Sequence, residues 1–157
     1  MSTLAGLLEA DVKAWASESM ASFLPPRIFA PMQSLIASFQ RDPAWEVVVV
    51  SASSRWVVEA AAPSLGLRPE QVLGIGVAVE GGVLTDRVLE PVTNDVGKVA
   101  AVRDHFGRAP ALAVGNSTHD VPLLASATEL AMVVNPSPGL YQEAVRRGWG
   151  VCSLTPS

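Results

Sequence analysis

Three short stretches of this chain carry side chains able to do chemistry, and each falls where a strand gives way to a helix. Ser51, in Ser51-Ala52-Ser53-Ser54, follows the apolar run 47–50. Its hydroxyl and the free amides of a helix start could hold a phosphate oxygen. Lys98, in Asn94-Asp95-Val96-Gly97-Lys98, sits in a first helical turn. A cation there opposes the helix dipole, as expected of one that must meet an anion at that end. Gly115-Asn116-Ser117-Thr118-His119-Asp120 follows another short strand and offers oxygen ligands to a hard cation such as Mg²⁺. Each also has a plain structural explanation. Ser51 fits an ordinary N-cap, Lys98 a solvated lysine, and the third stretch a tight turn with an Asx or Ser cap. His119 reads as a loop residue, since one histidine beside one aspartate is weak support for catalysis.

The elements around these residues come from periodicity. Residues 4–20 repeat apolar side chains at helical spacing, and Pro25-Pro26 stops that element. A second helix is expected over 32–40, after Pro31. Residues 45–50, with the β-branched run 47–50, show the pattern of a strand buried on both faces. A helix over 54–65 closes at Gly66. Residues 71–79 and 83–89 read as a hairpin turning at Glu80-Gly81-Gly82. Helix 97–106, strand 111–114, helix 120–126, strand 130–134 and helix 140–147 complete the chain. This alternation predicts an α/β fold with a mainly parallel sheet, flanking helices and a hairpin insertion. In such sheets ligands sit at the carboxyl ends of the strands, where all three stretches fall.

Composition narrows the function. Hydrophobic residues are 49% and charged residues 17% of 157, a globular balance with room for one core. Net charge is −4 with eleven scattered Lys and Arg, so a nucleic-acid partner is not expected. One cysteine and two histidines exclude an internal disulfide and argue against a multi-histidine zinc site. No apolar run reaches membrane-spanning length, and the start, Met1-Ser2-Thr3-Leu4-Ala5-Gly6, lacks the pattern of a signal peptide. A cytoplasmic protein without membrane partners is the expectation.

The order of the three stretches resembles motifs II, III and IV of the haloacid dehalogenase (HAD) superfamily of hydrolases, closest to its phosphoserine-phosphatase-like branch. Val50-Ser51-Ala52-Ser53 resembles the Val-Ser-Ala-Ser that follows an apolar strand there. The hairpin followed by Gly97-Lys98 is similar to the branch's hairpin and Gly-Lys. Gly115-Asn116-Ser117-Thr118-His119-Asp120-Val121-Pro122-Leu123-Leu124 resembles Gly-Asp-Ser-x-x-Asp-x-Pro-Met-Leu. The resemblance spans about residues 31–150 and implies a HAD-like Rossmannoid core over 31–157, with residues 1–30 a helical cap remnant. It also implies Mg²⁺-dependent hydrolysis of a small phosphorylated molecule. Ser51, with Ala52 and Ser53, would hydrogen-bond the phosphoryl group. Lys98 would neutralise its charge, and Asn116 and Asp120 would hold or orient the Mg²⁺.

Two departures qualify this. The family's first motif, an apolar strand ending in Asp-x-Asp whose first aspartate is the nucleophile, does not precede Ser51. Asp11 falls in a helical pattern and Asp42 in a turn. The chain alone is therefore expected to be inactive, either as a shortened or mis-started reading frame or as a relative that binds a phosphorylated ligand or a protein without turnover. Asn116 also stands where the family has aspartate, which removes a charge from the metal site. Without its first strand the core would expose a sheet edge, which a homo-oligomer could cover. A clean monomer at high concentration would count against that oligomer.

Overall fold

The structure is a computed structural model that describes residues 4–155, and within it the chain divides into two compact units, one ending at Val92 and the other spanning Thr93–Thr155. The opening Met1-Ser2-Thr3, read above for a leader, lies outside the described residues. Among the described residues no helix is long and apolar enough to cross a membrane.

In the first unit helix α1 runs Glu9–Phe23, not 4–20 as periodicity suggests. Residues before it are drawn instead to the hairpin of β3 (Val77–Glu80) and β4 (Val83–Val88). Gly6 donates to the Leu84 carbonyl, Leu84 to the Leu7 carbonyl and Glu9 to the Gly82 carbonyl. The hairpin turns through Gly81 and Gly82 at φ 57° and 81°, values that glycine adopts without penalty. Helix α1 buries Val12 and Ala16 in a cluster with Trp56 and Leu84.

Helix α2 (Ala30–Gln40) leads to strand β1 (Val49–Ser54) and helix α3 (Arg55–Ala61), which tightens into a 3-10 turn where Pro63 cannot donate. That turn ends at Gly66 with φ 71°. Strand β1 pairs in parallel with β2 (Val72–Ile75). Sequence reading joins β2 and β3 into one strand, but the chain breaks them at Gly76, so β2 serves the parallel pair and β3 the hairpin. Close packing explains the glycine at 74, because a Cβ there would meet the Arg55 Cα at 2.7 Å.

Glu9 ties α1 to α3. Its Oε1 accepts from Trp56 Nε1 at 3.0 Å and Arg55 Nη2 at 3.1 Å, with Lys13 Nζ at 3.2 Å. The Trp56 bond, helped by Lys13 and Arg55 against partial burial, holds its carboxyl below the ordinary 4.5. A carboxyl with a lowered folded-state pKa adds stability above its unfolded value, and that stability is lost as pH falls through the folded one. Thermal melts from pH 7 to pH 3 should therefore show a decline below about pH 4.5 that is smaller in Glu9→Gln. Equal declines in both proteins would remove Glu9 from this role.

The second unit holds helix α4 (Val96–Phe106), strand β5 (Leu112–Gly115), helix α5 (Val121–Ser126), strand β6 (Leu130–Val134), helix α6 (Pro138–Arg147) and strand β7 (Gly150–Cys152). Its three strands are parallel in the order β5-β6-β7, with Leu112 opposite Leu130 and Met132 opposite Gly150. Ala113, Leu124, Ala131, Val133, Leu140 and Ala144 form the core between sheet and helices. Two parallel sheets with flanking helices confirm the α/β class.

Candidate functional site

The site that the second unit assembles is built around one buried ion pair. Lys98, in the first turn of α4, and Asp120, at the end of the 3-10 turn Thr118–Asp120, are 8% and 7% exposed. Lys98 Nζ donates to Asp120 Oδ1 at 2.5 Å. The other carboxylate oxygen, Oδ2, accepts from the backbone amides of Asn116 at 2.9 Å and Ser117 at 3.0 Å. Burial pushes the Asp120 carboxyl up, yet the Lys98 bond, the two amides and the Lys98 charge outweigh it and hold the group below its ordinary 3.8. Asp120 thus stays ionised and offsets the cost of a cation at a helix N-terminus.

The loop geometry follows from local chemistry. Ser117 Oγ accepts from the His119 amide at 3.1 Å and caps the 3-10 turn, so Ser117-x-x-Asp120 acts as a capping box. Gly115 is required by space, since a Cβ there would sit 2.6 Å from the Asp120 Cβ. The Asn116 carbonyl accepts from the Ser137 amide at 3.0 Å, tying the loop to the residue that precedes α6.

A second bond joins the same two elements. His119 donates through Nδ1 to Asp95 Oδ1 at 2.8 Å, both side chains being about half exposed or more, 63% and 49%. Asp95 takes φ 46° and ψ −120°, a conformation that costs a residue with a Cβ about 1–3 kcal/mol. Asp95 carries one usable signal in the sequence, as an acidic residue just before a helix whose first turn holds a lysine.

Ser51 belongs to the first unit. It lies within β1, not just after it, because the strand extends to Ser54. The pairing with β2 is irregular between Val50 and Ser54, which matches four steps of β1 to two of β2 and lets Ser51-Ala52-Ser53 leave the ladder. Ser51 Oγ accepts from the Ser53 amide at 3.2 Å, closing a small turn at the carboxyl end of the strand. The N-cap of α3 is Ser54, not Ser51, and it makes no side-chain capping bond.

The donor set can be tested against the Mg²⁺ that the resemblance implies. Both Asp120 oxygens are already engaged, one by a cation, and Asn116 is an exposed residue without charge. Among the described residues no group of three or more His, Cys, Asp or Glu could hold a metal ion. Mg²⁺ asks for near-octahedral oxygen ligands with one or two carboxylates. The residues present do not make such a site by themselves.

The family model described as haloacid dehalogenase-like hydrolase matches residues 1–125. No curated protein matches the chain. Among solved structures, a protein with unknown function from Bordetella pertussis Tohama I superposes with a TM-score of 0.83 at 24% identity, covering 95% of this chain and 69% of its own. A conserved functionally unknown protein from Anaerococcus prevotii DSM 20548 gives 0.79 at 18% identity, covering 98% and 54%. A phosphoserine phosphohydrolase-like protein from Francisella tularensis subsp. tularensis SCHU S4 gives 0.62 at 10% identity, covering 89% and 65%. At these identities the likeness is one of fold. The chain spans between about half and about two thirds of each of these three structures.

Proposed function

The chain belongs to the haloacid dehalogenase-like hydrolase family, and from that premise we propose that it is the phosphate-handling part of a phosphomonoesterase. The parent reaction in this reading is Mg²⁺-dependent hydrolysis of a small phosphorylated molecule. The chain as it stands binds the phosphate and does not turn it over, because no Asp-x-Asp occurs anywhere in its sequence and covalent transfer needs that nucleophile. Asn116 and Asp120 would contribute to the Mg²⁺ site only beside further carboxylates, so no step here runs through the metal.

The observation that carries the reading is the buried Lys98–Asp120 pair. Phosphoryl transfer asks the protein mainly for positioning and for charge already in place. Lys98 has both. Its ammonium is fixed by a buried carboxylate, and Asp120 takes one of its three N–H donors. In a partly desolvated setting such a charge acts on an anion more strongly than in water. In the other unit, Ser51 with Ala52 and Ser53 forms a turn of hydroxyl and amide groups at a strand's carboxyl end, suited to hydrogen-bond a phosphoryl oxygen.

Titration of inorganic phosphate into the chain, followed by calorimetry, tests this. Saturable binding is expected in the wild type. In Lys98→Met/Asp120→Asn, which removes the cation without stranding a buried carboxylate, binding should weaken about 10- to 100-fold, the scale of a lost charge-assisted hydrogen bond. A wild type without saturable binding, or a stably folded double variant that binds equally well, would refute the reading.

A further inference from the structure

We propose that Asp95 and His119 form an outer clasp that keeps Lys98 in position while an anion takes hold of its ammonium. This rests on the phosphate-handling role above and names residues which that role does not include. Two bonds span the start of α4 and the turn Thr118–Asp120. The inner one, Lys98 to Asp120, is buried, and the outer one, His119 to Asp95, is exposed.

The inner bond cannot do the positioning alone. An arriving phosphate dianion takes the remaining N–H donors of Lys98 and shares its charge with Asp120, so the inner bond weakens at the moment the first turn of α4 must stay in place. The outer bond shares no atom with Lys98 and survives the arrival. Asp95 stands three residues before Lys98 and His119 one residue before Asp120, so a fixed Asp95–His119 distance sets the spacing of the inner pair. The base of His119 is itself held, since its amide donates to Ser117 Oγ.

The backbone supports a role in binding more than one in stability. An exposed pair of this kind contributes little to folding. Yet Asp95 adopts a left-handed φ of 46°, where a residue with a Cβ is strained, and presents its carboxylate to His119. Strain held for so small a return in stability is characteristic of residues that serve a ligand.

The test compares inorganic phosphate binding to the full chain in wild type, His119→Ala, His119→Asn and His119→Gln, with thermal melts of each. An asparagine amide reaches where histidine Nδ1 sits, and a glutamine amide reaches where Nε2 sits. His119→Ala should bind phosphate about fivefold more weakly, the upper range for one exposed charged bond, with its melt unchanged. His119→Asn should restore affinity and His119→Gln should not. Wild-type affinity in His119→Ala, equal loss in the Asn variant, or a loss that tracks a lowered melt would overturn the clasp. Loss in Lys98→Met/Asp120→Asn with none in His119→Ala would overturn the clasp alone. A wild type that takes up no phosphate would overturn the underlying function and the clasp with it.

Discussion

Asp120→Ala should destabilise the Thr93–Thr155 unit by about 3–5 kcal/mol, the usual cost of removing one partner from a buried ion pair. Three groups lose their acceptor together, one of them buried. The Lys98 ammonium, its side chain only 10% exposed, is left without its counter-charge. The part-buried amides of Asn116 and Ser117 lose Oδ2 as well, at less than the full cost of a buried unmet donor. Lys98→Met/Asp120→Leu should recover a good part of the loss, because a well-packed apolar pair often equals a buried ionic one. The amides would stay unmet, so recovery should be incomplete. Urea unfolding of the single and double variants checks both statements. A near-neutral Asp120→Ala would mean that the pair is not buried in solution.

Gly74→Ala should cost about 3 kcal/mol, at the top of the range for overpacking. The new Cβ would meet the Arg55 Cα at 2.7 Å, the Val58 Cγ2 at 2.9 Å and the Arg55 N at 3.0 Å. Two of these three atoms are backbone, so no rotamer change relieves the contact and β2 must move away from α3. That movement would loosen the cluster of Val58, Ala62, Leu67 and Val72. Gly150→Ala is the comparison. Its Cβ would find its nearest neighbour, Met132 Cγ, at 3.6 Å, an ordinary contact, and the change should be close to neutral. Similar midpoints for both variants in thermal melts would contradict the close approach of β2 to α3.

Periodicity made the α/β class visible, and glycine marked helix ends well. Gly66, Gly107 and Gly148 all close helical segments at φ near 70°, as the sequence suggests. Boundaries were harder wherever tertiary partners decide them. Residues 4–8 continue an apolar pattern but bond to β4, so α1 begins late. Residues 71–79 look like one strand because Gly76 does not interrupt the apolar pattern, yet the two halves pair with different strands. Strand β7 has three residues and no periodicity to reveal it.

Within the site, residue types were legible and their partners were not. Lys98 drew attention as a cation at a helix N-terminus and Asp120 as a loop oxygen donor, but 22 residues separate them and nothing local says that they bond to each other. By its place in the loop Asp120 is a candidate metal ligand. In the structure its oxygens bind Lys98 and two amides, contacts that only the folded loop supplies. The Asp95–His119 bond joins residues 24 apart and was equally hidden. Ser51 was expected beyond a strand end. The irregular pairing at Ser51-Ala52-Ser53 depends on β2, which local sequence does not specify.

The most direct test of the account is phosphorus NMR of para-nitrophenyl phosphate incubated with the chain and Mg²⁺. The ester resonance should broaden with the wild type and much less with Lys98→Met/Asp120→Asn, and no inorganic phosphate resonance should grow. An unbroadened ester would contradict the phosphate-handling role, and growth of inorganic phosphate in step with protein concentration would contradict the absence of turnover.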